Sequence, residues 1–578
     1  MKKLWLMASA MLAMFAAAGE RVPLWPEGKI PFFQGHQIAA MTDEAGWPGN
    51  WKQGFDPKAH QMPYLEWCAA PAAEQRLGVC MILISGGGYD SCCDVGLVND
   101  WEKRLTALGI TCVKLVYRTP RPVGLKYHVS AWADGQRAVR LVRAEAAKRG
   151  FDPEKIGTIS MSAGSHLATL LATSSKTPAY GKVDALDDTP CHLNWACTFA
   201  IAYGLTDGLG GPNARMGEGP DVKLDSIFKF DAKTCPMWMS HGGVDPYCPG
   251  ASTQVYRELR RRNIPAELHL YADMPHGAFG FERAVEFMRQ MGFLGSVPAE
   301  EELEQRFPKD EGILPVVKEE VWGRTPPNLQ ENQGTPYIEW FIPSNLTTKA
   351  IQIIYSGGAY DWNSPDCFEV RPAQRYLNAK GMAVVTMRYR VPRHQALAKH
   401  TAPWQDLQRA IKLVRSKAAE KGLDPNRIGI MGSSAGGHLT MMGITSSMHP
   451  AYRPFDAVDK LACNVQWGIA IYPAYLLTDG LDGENVRWGN DDSAVLAPEF
   501  TFDPLTCPTL FIHGDTDGYS AMGSVKAWEK MRLMGVQSEL HTLATRKHCF
   551  QAKAAPGTGS YTWLDRIWEF LSAKRFNH

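Results

Sequence analysis

The strongest constraint on this chain is that it repeats itself at long range. A Ser, an Asp and a His recur in one order and register: Ser162, Asp245 and His276, then Ser434, Asp517 and His548, each pair 272 residues apart. The copying extends well beyond these residues. Pro63-Tyr64-Leu65-Glu66-Trp67 answers Pro336-Tyr337-Ile338-Glu339-Trp340, and Tyr117-Arg118 answers Tyr389-Arg390. Trp132 and Asp134 answer Trp404 and Asp406, while Leu205-Thr206-Asp207-Gly208-Leu209 recurs unchanged as Leu477-Thr478-Asp479-Gly480-Leu481. After residue 109 the copies differ by almost no insertion. A repeat unit of this length means a duplicated domain rather than a solenoid of short units. The expected boundaries are 19–296 and 329–578. Residues 297–328, with Glu300-Glu301-Glu302 and several prolines, read as a linker.

A chain of 578 residues is too long for one core and suits two or three domains. A net charge of +1 gives no global field for nucleic acid or an anionic membrane. The densest basic run, Arg260-Arg261-Arg262, precedes Asn263-Ile264-Pro265 and reads as a solvated helix C-terminus. Lys2 and Lys3, the apolar run 4–18 and the small residues Ala16-Ala17-Ala18 predict an export signal over 1–18. That run is too short to span a bilayer. No membrane anchor is expected, and the expected location is periplasmic or secreted. Oligomeric state is left open.

Within each copy, apolar runs rich in β-formers alternate with helical patterns. In the first, 78–84, 111–117, 156–160, 197–202, 237–240 and 267–271 read as strands, and 131–149 reads as a helix. This alternation predicts an α/β fold, two tandem domains each with a mostly parallel sheet covered by helices on both faces.

The chemistry-bearing residues sit where such strands end. Ser162 follows the run Ile156-Gly157-Thr158-Ile159-Ser160 and precedes Ala163-Gly164; Ser434 lies in Gly432-Ser433-Ser434-Ala435-Gly436. A strained strand–helix turn needs small residues at both ends, which matches G-x-S-x-G fully in the second copy. In the first copy Ser160 replaces the first glycine. A glycine-rich turn serving only packing is the plain alternative. Ser85-Gly86-Gly87-Gly88-Tyr89 and Ser356-Gly357-Gly358-Ala359-Tyr360 follow other apolar strands. Small residues there let backbone N–H groups approach an oxyanion, so Gly87, Gly88, Gly358 and Ala359 are candidate donors, with the N–H after each serine, Ala163 or Ala435. Each such donor contributes about 3 kcal/mol to a transition state. Asp245 in His241-Gly242-Gly243-Val244-Asp245 and Asp517 in His513-Gly514-Asp515-Thr516-Asp517 are the candidate acids, with Asp515 a competitor. His276 and His548 are the candidate bases. His166, His438, His269 and His541 read as structural, and Arg118–Asp134 and Arg390–Asp406 as structural ion pairs.

With these motifs together (S-G-G-G-Y, Y-R, D-x-x-R-A, G-x-S-x-G-G-H, H-G-x-x-D and a late H-G) the chain resembles the bacterial α/β-hydrolase esterases that include feruloyl and acetyl-xylan esterases. The resemblance implies a serine esterase with two Ser-Asp-His sites and no metal or cofactor. Its expected partner is an ester substrate, on acylated plant polysaccharide or derived oligosaccharides, and not a nucleic acid. The short 203–235 segment suggests a cleft without a large lid. The departures are the missing first elbow glycine in copy one, and Ala359 and Cys549 in copy two. Two alternatives stay open: one copy is a silent carbohydrate-binding or structural module, or the chain is a prolyl-oligopeptidase-like peptidase. Thirteen Cys show no metal spacing, but Cys191 and Cys235 match Cys463 and Cys507 at the same offset. Both pairs are disulfide candidates in an oxidising compartment.

Overall fold

The computed structural model describes residues 19–33, 62–92, 95–206, 223–307, 312–478 and 494–578. The anticipated export signal lies outside them, as do 207–222 and 479–493, which bear on the expected open cleft. Among the described residues no helix is long and apolar enough to cross a membrane. The chain divides into two compact units, residues 1–266 with 273–296, and residues 267–272 with 297–578.

In the first unit the sheet runs Glu20–Pro23, Tyr64–Trp67, Thr111–Val116, Cys80–Ile84, Ile156–Met161, Trp195–Phe199, Met237–Gly242. The first two strands join antiparallel. The remaining pairings are parallel. The central strands are buried along nearly their whole length, as expected where helices cover both faces. The second unit repeats the order with Val317–Glu320, Tyr337–Phe341, Ala383–Arg388, Ile351–Tyr355, Ile428–Ser433, Trp467–Ile471, Thr509–Gly514 and Glu539–Leu543. Again the first pairings are antiparallel and the rest parallel. Strand order departs from chain order at the second and third parallel strands of each sheet, so the oxyanion loop and the serine turn leave adjacent strands at their C-terminal ends. That is where open α/β sheets place ligands.

Two expectations need revision. The strand Ala266–Tyr271 forms, but 267–272 groups with the second unit. The anticipated linker 297–328 also belongs to that unit. Val317–Glu320 is its edge strand, paired with Tyr337–Phe341, and Trp322 Nε1 donates to Asp406 at 2.6 Å. The same arrangement opens the first unit, where Trp25 Nε1 donates to Asp134 at 2.7 Å. Arg137 Nε donates to the Leu24 carbonyl, as Arg409 Nε does to that of Val321. The repeat therefore begins before the motif at Pro63 and Pro336. The edge strand is short and charged, which hid it among the prolines and glutamates.

Each anticipated Arg–Asp pair is buried, with guanidinium to carboxylate 2.8 Å in both units. The aspartates also accept the Arg118 and Arg390 backbone N–H, so the pair ties a strand end to the following helix. The disulfide expectation is not met: Cys191, Cys235, Cys463 and Cys507 are all free. The Cys191 thiol donates to the Ser175 carbonyl at 3.3 Å and Cys463 to Ser447 at 3.2 Å. These thiols are turned to backbone acceptors, and all four side chains are buried.

Candidate active sites

Each serine stands at a strained turn between a strand and a helix. Ser162 follows Ile156–Met161 and begins Ala163–Thr173; Ser434 follows Ile428–Ser433 and begins Ala435–Thr445. Their backbones share one left-handed conformation, φ 59° and ψ −124° for Ser162, φ 56° and ψ −122° for Ser434. A non-glycine residue there costs of order 1–3 kcal/mol and persists only when its surroundings hold it. The holding bonds are visible: Ser162 N donates to the Phe199 carbonyl at 2.9 Å and Ser434 N to that of Ile471 at 3.0 Å. The glycine after the nucleophile is required by packing. A Cβ on Gly164 would sit 2.3 Å from the Ser85 carbonyl oxygen, and one on Gly436 2.6 Å from that of Ser356. The elbow of copy one closes with Ser160 in the glycine position because its hydroxyl meets Ser165 Oγ at 3.2 Å and the Cys197 carbonyl.

The acid and base come from the next two loops. In copy two His548 Nε2 lies 2.7 Å from Ser434 Oγ, and Nδ1 lies 2.8 and 3.0 Å from the two Asp517 oxygens. In copy one His276 Nδ1 lies 2.8 Å from Asp245 Oδ2. The partner of His548 is thus Asp517, the residue in register, rather than Asp515. Burial opposes ionisation of Asp245 and Asp517. Hydrogen bonds with His241 and His276, and with His513 and His548, nevertheless hold the carboxyls well below the usual range. The glycine of H-G-x-x-D brings the histidine loop close. A Cβ on Gly242 would fall 2.0 Å from the Met274 carbonyl oxygen, and on Gly514 2.3 Å from that of Arg546.

The oxyanion loops face the serines. A Cβ on Gly86 would lie 2.9 Å from Ser162 Cβ, and on Gly357 2.5 Å from Ser434 Cβ. Gly87 and Gly358 have φ of 121° and 93°, and a Cβ on either would strike a carbonyl oxygen four residues on, at 2.0 Å. Gly88 (φ 63°) and Ala359 (φ 56°) adopt the same left-handed turn. Ala163 and Ala435 open their helices, where N–H groups are unpaired by the helix itself. Both loops are pinned from beneath. The Tyr117 hydroxyl donates to the Ser85 carbonyl at 3.1 Å, and the Tyr389 hydroxyl to Ser356 and Gly357 at 2.9 and 2.8 Å. Tyr89 and Tyr360 each bond the Nδ1 of a histidine, His166 or His438, at 2.8 Å. The Y-R motif and the histidine four residues after each serine are therefore scaffolding of the loop, as expected for the histidines.

Two features escaped sequence reasoning. His241 and His513 bridge Ser252 Oγ or Ser524 Oγ to the Tyr247 or Tyr519 carbonyl, and stand 3.2 and 3.5 Å from the triad aspartates. The signal was present, since a histidine precedes each aspartate by four. The second feature has no counterpart in the other copy. Glu369, buried on the segment leading into the helix Arg371–Ala379, accepts from Gly357 N at 2.7 Å and from the Tyr472 hydroxyl at 3.0 Å. Gln551 Oε1 accepts from Ser433 Oγ and also lies against the Tyr472 oxygen, whose single proton is shared between it and Glu369. The Tyr472 ring packs on His548, centroids 4.7 Å apart. Burial raises the Glu369 carboxyl above its ordinary value against these donors. In the first copy the positions of Tyr472, Gln551 and Ser433 hold Ala200, Phe279 and Met161. Trp101 instead stacks on Phe199, and Phe199 packs on Trp238.

Comparison with known proteins finds one family model twice in the chain. The BD-FAE family model matches residues 68–207 and again 339–475. An acetylxylan esterase of Xylanibacter ruminicola is 34% identical over 123 residues, 21% of this chain and 24% of that protein. Endo-1,4-beta-xylanase B of Butyrivibrio fibrisolvens is 26% identical over 34% of this chain and 32% of its own length. Esterase LipQ of Mycobacterium tuberculosis is 25% identical, with 39% of this chain and 55% of the relative covered. The matches thus span less than two thirds of these relatives. Among solved structures, an acetyl ester-xyloside bifunctional hydrolase from Caldicellulosiruptor lactoaceticus aligns at 22% identity over 45% of this chain and 97% of its own, TM-score 0.37. An esterase from Thermogutta terrifontis aligns at 21% identity over 46% and 97%, TM-score 0.37. The BD-FAE model thus matches the chain twice in tandem, once in each unit, and each unit has the α/β-hydrolase fold.

Proposed function

We propose that each domain is a serine carboxylic-ester hydrolase, acting after export on acetyl or feruloyl esters of plant polysaccharide or its oligosaccharides. The observation that carries the reading is the continuous relay Ser434 Oγ–His548–Asp517, with contacts of 2.7 and 2.8 Å. The elbow, loop and His–Asp contact recur in the first domain. The names of the curated relatives, an acetylxylan esterase and a xylanase among them, support the substrate class. An indole on the oxyanion loop, Trp362, is half exposed beside the second site and offers a sugar-stacking face.

The mechanism follows from the atoms. Serine Oγ attacks the ester carbonyl and its proton passes to His Nε2, while aspartate holds Nδ1–H and stabilises the imidazolium. Negative charge on the carbonyl oxygen is met by N–H groups of the 87–88 or 358–359 loop and of Ala163 or Ala435. The imidazolium protonates the departing alcohol, leaving an acyl-serine. Water, deprotonated by the same imidazole, then releases the acid and restores serine.

The test is a panel of acetyl, feruloyl and longer acyl esters, with Ser162→Ala, Ser434→Ala and the double variant. Each single variant should retain the other domain's activity, and the double variant should have none. If Ser162→Ala alone removes every activity from a folded protein, the second domain is a silent module.

A further inference from the structure

Behind the second oxyanion loop lies a group of side chains of which the hydrolytic reading uses only His438 Nδ1, bonded to Tyr360. His438 is on the helix Ala435–Thr445, His400 caps the start of Thr401–Ala418, and Glu499 precedes Phe500. His438 Nε2, His400 Nδ1 and a Glu499 oxygen all lie within 4.8 Å of one another. The closest pair is His438 Nε2 to Glu499 Oε1 at 2.9 Å, and His400 Nδ1 to the same oxygen is 3.8 Å.

We propose that His400, His438 and Glu499 of the second domain form a binding site for a zinc-like divalent cation. Two imidazoles and a carboxylate with a fourth position left for water is a ligand set zinc accepts. With metal–nitrogen bonds of about 2.0–2.1 Å, two imidazoles on one tetrahedral ion have ring centroids about 5.2 Å apart. The His400 and His438 centroids are 5.5 Å apart. The ring spacing is therefore compatible with both imidazoles reaching one ion, with the three ligand atoms drawing in from separations of up to 4.8 Å. The other nitrogen of His438 is already committed, since Nδ1 bonds the Tyr360 hydroxyl at 2.8 Å. That contact fixes the ring and leaves Nε2 for the ion, the usual outer-shell arrangement of a metal histidine. His400 Nδ1 is buried without a hydrogen-bond partner.

The first domain supplies an internal comparison. His128 and His166 occupy the equivalent places, with centroids 5.8 Å apart. Phe228 packs on His166 as Phe500 packs on His438, which fixes the register. The residue before Phe228 is Ile227 instead of glutamate. There the corresponding atoms, His128 Nδ1 and His166 Nε2, are both buried without a partner. The imidazole pair is thus common to both domains, and the carboxylate that completes three ligands is not. The Lys399 ammonium, turned onto the Tyr475 ring at 4.4 Å, opposes a second cation nearby and lowers affinity without taking a ligand position.

The test uses the full chain stripped with a chelator, then titrated with zinc against a chromophoric competitor, with metal content read by mass spectrometry. Wild-type protein should take up about one zinc ion per chain and unfold at higher temperature when loaded. Glu499→Gln and His400→Gln should each weaken binding by more than about 100-fold, since even outer-shell changes cost 10–100-fold. His400 is partly exposed, so its variant keeps the test open if Glu499→Gln fails to fold. Retained uptake in both variants, or no uptake by wild type at micromolar zinc, overturns the site. The readout is independent of ester hydrolysis.

Discussion

The two serine sites share a backbone and differ in what stands behind it. Both have the strained serine, the glycine loop, the tyrosine beneath that loop and the His–Asp contact. Behind the second site is a buried polar group, Glu369, Tyr472, Gln551 and Ser433, touching the oxyanion loop through Gly357 N–H and His548 through the Tyr472 ring. Behind the first is an aromatic stack of Trp101, Phe199 and Trp238. The lesson is that duplication has kept the serine, histidine and aspartate and the strain of the serine turn while the supporting material diverged. A buried polar group is costly to disturb, because a donor or acceptor that loses its partner there has no water to replace it. The second site should therefore respond sharply to changes far from the substrate, and the first should not.

The largest effect separates the two sites completely. Ser162→Ala and Ser434→Ala should each lower kcat of their own domain by at least about 10⁴-fold, because removing a triad nucleophile leaves only binding and the oxyanion donors. Asp245→Asn and Asp517→Asn, measured in the opposite serine-null background, should lower it by about 10⁴-fold through the wrong imidazole tautomer. Both carboxyls are held low in the folded state. Their contribution to stability is therefore fully present above the unfolded value of about 3.9 and is lost only as pH falls through the folded value. The unfolding temperatures of each Asn variant and its parent should converge in strong acid; an unchanged gap there would contradict the assignment.

A tenfold-scale effect tests the asymmetry itself. In the Ser162→Ala background, Glu369→Gln should lower kcat by about 10–100-fold, because an amide offers one oxygen where two donors, Gly357 N–H and the Tyr472 hydroxyl, now find two. In the Ser434→Ala background the same change should leave first-domain activity alone. Burial raises the Glu369 carboxyl. Its stabilising neutral form is complete below the unfolded value of about 4.3 and is lost as pH rises through the folded one. Stability of Glu369→Gln relative to wild type should accordingly improve as pH rises across that window. Equal loss of activity in both backgrounds would mean a general folding defect.

Most of this was legible because it repeats. The strands expected at 111–117, 156–160 and 237–240 form as Thr111–Val116, Ile156–Met161 and Met237–Gly242. Their apolar runs are buried on both faces, which makes the signal dense. The Ser434–His548–Asp517 contacts were legible by register alone, since three coincident offsets select Asp517 over Asp515. What was hidden depended on single-copy residues or on charged ones. Val317–Glu320 carries Lys318, Glu319 and Glu320, and an exposed edge strand has no apolar period to read. Glu369 lies in a stretch where the copies differ in length by one residue, so no register pointed to it. The cysteines misled because a shared offset says that two positions are equivalent between copies and nothing about whether they meet within one.

The smallest effect concerns one methyl group. Gly88 and Ala359 hold the same left-handed turn, φ 63° and 56°. For an L-residue that conformation costs roughly 1–2 kcal/mol that glycine escapes. Ala359→Gly should therefore stabilise the second domain by about 1 kcal/mol or slightly less, after the greater freedom of glycine in the unfolded chain is deducted. Gly88→Ala should destabilise the first by more than that. It acquires the strain, and its Cβ would meet the Tyr203 hydroxyl at 3.2 Å, a contact tighter than ordinary packing. Paired thermal and denaturant unfolding of the two variants reads both signs. If the methyl of Ala359 serves the second site by narrowing the oxyanion loop, Ala359→Gly will gain stability and lose ester discrimination together. If it gains stability with the acyl preference of the second site unchanged, the difference between the sites lies with Glu369 and Trp362 rather than with the turn.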